Sequence, residues 1–261
     1  MAPGVGSLIR QWRHRCRRSQ MGLAHDIGVS PRHLSYVELG KSNPSRQLLL
    51  AIAEHLEVPL RERNHWLLAA GYAPRYPETP LSEPQLAQVR TSLRGLLDAH
   101  DPLPGIVVDR SWNVQLANRS AARLTAGIPE HVRGVPTNVF RVSLHPDGLA
   151  ARTANFAQWS AYLLRQLSRA TARTRSPVLI ALAAEVASWP GIPERDTWNR
   201  LSTDHGPDLV VPWRVTVANQ QLSLFTTMTT FGTPADITLS ELTIELFFPA
   251  DQATREILHG W

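Results

Sequence analysis

The stretch "YAPRYPETPLSEP", residues 72–84, places four prolines within thirteen residues. Proline has no amide hydrogen, and its ring is excluded from helix interiors and central strands. No regular element can run through this stretch, so the chain on either side must fold separately. With 261 residues there is room for two ordinary domains. The sequence therefore divides into a domain over 1–72, a semi-rigid linker over 73–84 and a second domain over 85–261.

Charge divides the chain at nearly the same place. Residues 1–76 carry 11 Lys and Arg against 5 Asp and Glu, whereas residues 77–261 carry 16 against 17. The whole net charge of +5 is accounted for by the first part. A basic head on a near-neutral body suits a polyanion-binding module joined to a body with another task. A high-arginine coding bias explains why Lys41 is the only lysine, but it does not explain the lopsided balance.

Hydrophobic residues make up 43% of the chain, enough for packed cores. The single cysteine, Cys16, cannot close an internal disulfide or build a thiolate metal site, which fits a reducing compartment. It lies among arginines that can lower a thiol pKa, so it is either a redox-sensitive thiol or a small buried residue, and we expect the second. The amino terminus has no apolar run of the secretory kind. The longest apolar run, "VLIALAAEVASW", is interrupted by Glu185 and is too short for a bilayer. These features predict a cytoplasmic protein without membrane insertion.

From Ser7 to about Tyr72 the apolar spacing is helical and comes in short segments. Five helices are expected, the second stopped at Gly28, the third at Gly40 and the fifth at Gly71. Ser19, Ser30 and Ser45 stand where N-caps belong, and Pro31 takes the first helical position after Ser30. Ala24 permits close approach of the second and third helices, and Gly28 suits the turn between them. Leu23, Ile27, Val29, Leu34 and Val37 fill the wedge. That plan is a helix-turn-helix, whose second helix enters the DNA major groove.

The segment "SQMGLAHDIGVSPRHLSYVELGKSNPSRQLLLAIAEHL" resembles the XRE or phage-repressor type of this motif. The resemblance implies that Gln20 meets a phosphate and that the helix opening at Ser30 is the reader. Arg32 and Tyr36 would face base edges with Ser35 beside them, and Lys41 and Asn43 would follow the backbone. His33 either touches phosphate or caps and solvates the helix rim, the latter being preferred. The family's buried pair is implied between Arg13 and Glu38. Two departures stand out. Gly22 weakens the second helix by roughly 1 kcal/mol against Ala, and Pro31 replaces an adenine-reading glutamine of some relatives, which shifts weight onto Arg32.

Beyond the prolines, "QLAQVRTSLRGLLDAH" is an amphipathic helix, and "GIVVD" and "NVQLA" read as a β-hairpin. Helices are expected over Asn118 to Leu124, Thr153 to Arg173 and Val178 to Trp189. "PWRVTVAN", "LSLFTTMTTF" and "ELTIELFF" have strand character. About five strands with several helices make an α+β domain with a mainly antiparallel sheet.

The segments "ERNHWLLAAGYAPRYPETPL", "VVDRSWNVQLANRSAARL", "FRVSLHPDGLAARTANFAQW" and "TTFGTPADITLSELTIELFFPAD" are similar to MmyB-like regulators of actinobacteria. That resemblance runs over almost the whole chain. It implies a PAS-like second domain, a homodimer, a double-stranded DNA operator and a small apolar ligand, with a fatty acid as the ligand class. Phe156, Trp159, Leu163, Trp213, Phe225, Phe231 and Phe247 would then line the ligand pocket, or else fill a solid core.

"HPDG", residues 145–148, reads as a tight turn. His145 has no second His or Cys at ligand spacing, so no metal site is expected. No Gly-rich phosphate loop and no nucleophile–base motif appears. Neither a catalytic residue nor a cofactor is expected, and an enzyme is the least favoured reading. The favoured one is a ligand-sensing transcription regulator. Its rival is a DNA-binding regulator whose second domain only dimerises.

Overall fold

The computed structural model describes residues 4–194, 197 and 210–261. The chain forms two compact units. The first comprises Met1–Glu83 with Phe231–Ser240, and the second comprises Pro84–Thr230 with Glu241–Trp261.

The first unit holds α1 (Val5–Arg15), α2 (Gln20–Asp26), α3 (Pro31–Glu38), α4 (Arg46–His55) and α5 (Leu60–Ala69). Three of these starts are capped by the expected serines. The Ser19, Ser30 and Ser45 hydroxyls accept from the amides of Gly22, His33 and Leu48 at 2.9, 3.1 and 3.2 Å. Ile9, Leu23, Ala24, Leu34, Val37, Leu49, Ile52, Trp66 and Leu67 are buried in one core. Gly28 has φ +72°, a left-handed value that turns α2 into α3 without a Cβ penalty. Gly6 lets α1 lie directly on α3, since a Cβ there would stand 2.1 Å from the Val37 carbonyl oxygen. Cys16 caps the end of α1 and is exposed, so the expectation of a buried cysteine is wrong. The helix has ended at Arg15, and the thiol sits beyond the apolar stripe.

The proline-rich stretch is fastened within this unit. Asn64 on α5 accepts from the amides of Arg75 and Tyr76 at 2.9 and 3.1 Å, and its own amide donates to the Tyr76 carbonyl at 2.7 Å. Arg61 forms an ion pair with Glu78. Asp236, buried, accepts from the Thr79 amide at 3.1 Å, and the Ile237 amide donates to the Pro77 carbonyl at 2.8 Å. A segment that cannot pair its own backbone groups has found partners elsewhere.

The second unit is built on five antiparallel strands in the order β2-β1-β5-β4-β3: β1 (Gly105–Val108), β2 (Val114–Ala117), β3 (Trp213–Val217), β4 (Gln220–Thr230) and β5 (Thr243–Pro249). The helices are α6 (Ala87–His100), α7 (Arg119–Leu124), α8 (Glu130–Arg133), α9 (Val139–Leu144), α10 (Phe156–Thr174), α11 (Pro177–Ala187) and α13 (Gln252–His259). The short α12 (Ile237–Glu241) precedes β5 in sequence, and all of it but Glu241 folds with the first unit. The expected hairpin is present as β1–β2. Asn118 locks it to its surroundings, accepting from Gly105 and Ala121 amides and donating to the Leu97 and Leu103 carbonyls.

One face of the sheet carries the main core, and the other is covered over β1 but exposed along β3 and the end of β4. Trp213, Val215, Leu222, Leu224 and Phe247 belong to the core that α10 and α11 complete through Trp159, Leu163, Leu167, Leu179, Leu182 and Val186. On the other face Leu97 of α6 reaches the backbone at Gly105, beside Leu246. All of β1 is therefore buried, with no polar side. This is an α+β, PAS-like domain behind an all-α helix-turn-helix head.

Candidate nucleic-acid interface and ligand-binding domain

The buried wedge of α3 consists of Leu34, Val37 and Glu38, and Pro31, Arg32, His33 and Tyr36 are left exposed. Arg32 and Tyr36 stand one helical turn apart and engage each other. The Arg32 Nε and Nη2 groups donate to the Tyr36 hydroxyl at 3.1 and 2.9 Å, with the guanidinium over the ring at 5.4 Å. Lys41 adds a second cation, its Nζ 5.9 Å from the same ring. The face thus presents a planar guanidinium, a phenol and an ammonium. The hydroxyl orients Arg32 and leaves its remaining N–H groups free to meet an acceptor pair such as guanine O6 and N7.

The other DNA-facing candidates divide by what holds them. Ser30 is occupied as the N-cap of α3, while His33 is exposed and Ser35 half-buried. Gln20, assigned to a phosphate by resemblance, donates from Nε2 to Glu38 Oε2 at 2.8 Å. Asn43 donates from its amide to the carbonyl of Ala70 at 3.1 Å, bracing the end of α5.

Arg13 and Glu38 meet in a two-pronged contact, Nε to Oε1 at 2.7 Å and Nη2 to Oε2 at 2.8 Å, with Arg13 also donating to the Arg18 carbonyl at 2.9 Å. The hydrogen bond to Glu38 raises the Arg13 pKa against the opposing effect of burial. Both residues are buried, so this is the joint between α1 and α3. Glu38 fastens Gln20 at the same time, tying α2 into that joint.

In the second unit, four of the candidate lining residues lie in one apolar cluster: Trp159, Leu163, Trp213 and Phe247, with Phe156 packed against it. The Trp159 and Trp213 rings stack at 5.6 Å, and Trp213 lies 5.9 Å from Phe247. Phe225 belongs elsewhere. It stacks on Phe248 at 5.5 Å and, with His100, Arg255 and His259, lines a separate cavity of about 490 Å³. Phe231 falls in the first unit.

Sequence reasoning missed a polar group on the inner face. Glu245 of β5 is buried, and desolvation pushes its pKa up to about 7 despite an opposing hydrogen bond from Thr226. Tyr162 on α10 is raised by its own burial first and by the Glu245 charge second. Trp159 carries a buried indole N–H with no hydrogen-bond partner among the described residues. The signal for Glu245 lay in "ELTIELFF". Its alternation sets Glu245 on the same side of β5 as Phe247, and in the fold that side is the one packed against the main core and α10.

Among the described residues, no helix is long and apolar enough to cross a membrane. No curated protein matches the chain significantly. Residues 5–66 match the family model of a helix-turn-helix domain, and residues 89–259 match that of the MmyB-like transcription regulator ligand binding domain. Both families are regulatory, and the second match covers well over half of the chain. The chain therefore belongs to the MmyB-like family of DNA-binding transcription regulators, with a helix-turn-helix head and a ligand-binding domain.

Proposed function

We propose that the protein is a homodimeric, operator-selective regulator whose second domain binds a small apolar ligand, a long-chain fatty acid, and carries the dimer contact. The observation that carries this reading is the pairing, in one chain, of an exposed Arg32–Tyr36 face with a domain of the ligand-binding family. A dimer would set two such faces against two half-sites, whose spacing reports its geometry. Inside the second domain, the orphan indole N–H of Trp159 supplies a buried donor for an acceptor oxygen, and the surrounding apolar cluster suits a hydrocarbon tail. Ligand changes DNA affinity only through its differential affinity for the DNA-competent arrangement.

The test is selection of bound DNA from a random pool, with and without a C16 fatty acid, alongside native mass spectrometry of gently extracted protein. The expected outcome is a two-fold symmetric site, a stoichiometric apolar ligand and a ligand-dependent shift in affinity. Failure to enrich any sequence would refute the DNA-reading half. Enrichment with an empty, ligand-indifferent protein would select the alternative, a domain that only dimerises. The direct stacking of Trp159 on Trp213 favours that alternative. Arg32→Ala is expected to relax selectivity at one base step by roughly 1–3 kcal/mol while leaving fold and dimer intact. Unchanged operator selectivity in this variant would remove Arg32 from the reading role.

A further inference from the structure

The second unit brings together two histidines that are 14 positions apart in sequence. His131 sits on α8, and His145 follows the end of α9, where the chain enters the "HPDG" turn. The pre-proline residue takes extended backbone there, φ −68° and ψ 139°, which directs Asp147 back toward His145. His131 Nε2 lies 3.3 Å from Asp147 Oδ2, and His145 Nδ1 lies 4.0 Å from the same oxygen. The two imidazole rings meet edge to face at 5.7 Å. One ligating atom from each of the three residues falls within 4.8 Å of the other two. The premise that His145 stands alone does not survive the fold.

We propose that His131, His145 and Asp147 form a binding site for a divalent transition-metal ion of the zinc type. Tetrahedral coordination at 2.0–2.2 Å sets neighbouring ligand atoms roughly 3.3–3.5 Å apart. The His131–Asp147 pair already has that spacing. The His145–Asp147 pair needs only a small closure, and the exposed His131 and Asp147 side chains have room to make it. The tautomer is also suitable. His145 Nδ1 accepts the Asp147 amide hydrogen at 3.1 Å, so this nitrogen carries the lone pair that a metal needs. The ion would replace the amide as the partner of that lone pair.

The surroundings favour this ion class over others. Two imidazole nitrogens and one carboxylate suit zinc, cobalt or nickel, whereas calcium and magnesium call for all-oxygen shells. The His145 ring is held against Trp189 at 4.9 Å, which fixes its plane. The neighbouring Glu185 is paired through both oxygens with Arg141 at 2.8 and 2.7 Å, so it adds no uncompensated charge. Three protein ligands leave a fourth position for water or an external ligand. Coordination would tie α8 to the turn after α9.

The site is independent of the DNA-reading and fatty-acid proposals, and its test uses neither. The full-length chain, freed of metal by chelator, is titrated with Co²⁺ and followed by visible absorption, then competed with Zn²⁺ in equilibrium dialysis. One equivalent with tetrahedral Co²⁺ bands is expected, together with an upward shift in melting temperature. His131→Ala and Asp147→Asn, both at exposed positions, are each expected to weaken binding at least tenfold while the far-ultraviolet circular dichroism is unchanged. Cys16→Ser is expected to retain the ion. The proposal is overturned if the ion is lost with Cys16→Ser, if binding is unchanged in both site variants, or if wild type binds only at millimolar metal.

Discussion

At the scale of single residues, the contact between Arg13 and Glu38 fastens α3 to α1. Removing one member leaves a buried charge unpaired, which typically costs about 3–5 kcal/mol. Glu38→Ala is expected to do more than loosen α1, because Gln20 also depends on that carboxylate. Urea unfolding of the Glu38→Ala variant, and of the Glu38→Met and Arg13→Met variants singly and combined, checks this. The double replacement is expected to cost clearly less than the single ones, since no orphan charge remains. A double variant as unstable as the sum of the singles would show that the pair does not act as a unit.

Glu245 makes a prediction of opposite character. Its folded pKa of about 7 lies above the ordinary carboxylate value of 4.5. Between these values the folded state holds a proton that the unfolded state has released. Stability therefore falls as pH rises through this window, by roughly 3 kcal/mol in all, and is flat above about pH 8. Glu245→Gln is expected to abolish the slope and to be the more stable form at pH 8. Urea midpoints measured from pH 5 to pH 8 decide it, and parallel profiles for wild type and variant would contradict the assignment.

At the scale of elements, the proline-rich stretch is the instructive case. Its composition announces a break in regular structure, and the break is there. What composition does not announce is that Asn64, Arg61 and Asp236 hold it against the first unit, or that Phe231–Ser240, between β4 and β5 in sequence, folds with that unit. Asp236→Ala removes the acceptor for the Thr79 amide, and limited proteolysis is expected to cut between residues 75 and 83 several-fold faster. Equal cleavage rates would mean that the other anchors suffice without it. The helices were easier to read. Ser19, Ser30 and Ser45 signal their caps within three residues, and Gly28 signals its turn by itself. These signals are local and survive without tertiary context.

At the scale of the whole molecule, the surplus of positive charge in the first unit predicts steep salt dependence of DNA binding. Each neutralised phosphate contributes a slope of about −0.9 in log K against log salt. Lys41→Ala is expected to reduce the slope by about one while weakening all sequences alike, in contrast to Arg32→Ala, which changes preference. An unchanged slope would take Lys41 off the phosphate backbone.

By itself, the sequence determined the division into a basic helical head and an α+β body, the three serine-capped helix starts, the β1–β2 hairpin and the exposed face of α3. Each follows from spacing, caps or charge within a few residues. Only the tertiary structure decided the matters that depend on residues distant in the chain. Packing α10 onto the inner face of the sheet made Glu245 a buried titrating group. The same sheet separated Phe225 from Trp159 and Trp213, and the turn after α9 carried His145 and Asp147 to His131. Side-chain periodicity says which way a residue points on its own element. What it meets there is set by elements that arrive from elsewhere in the chain.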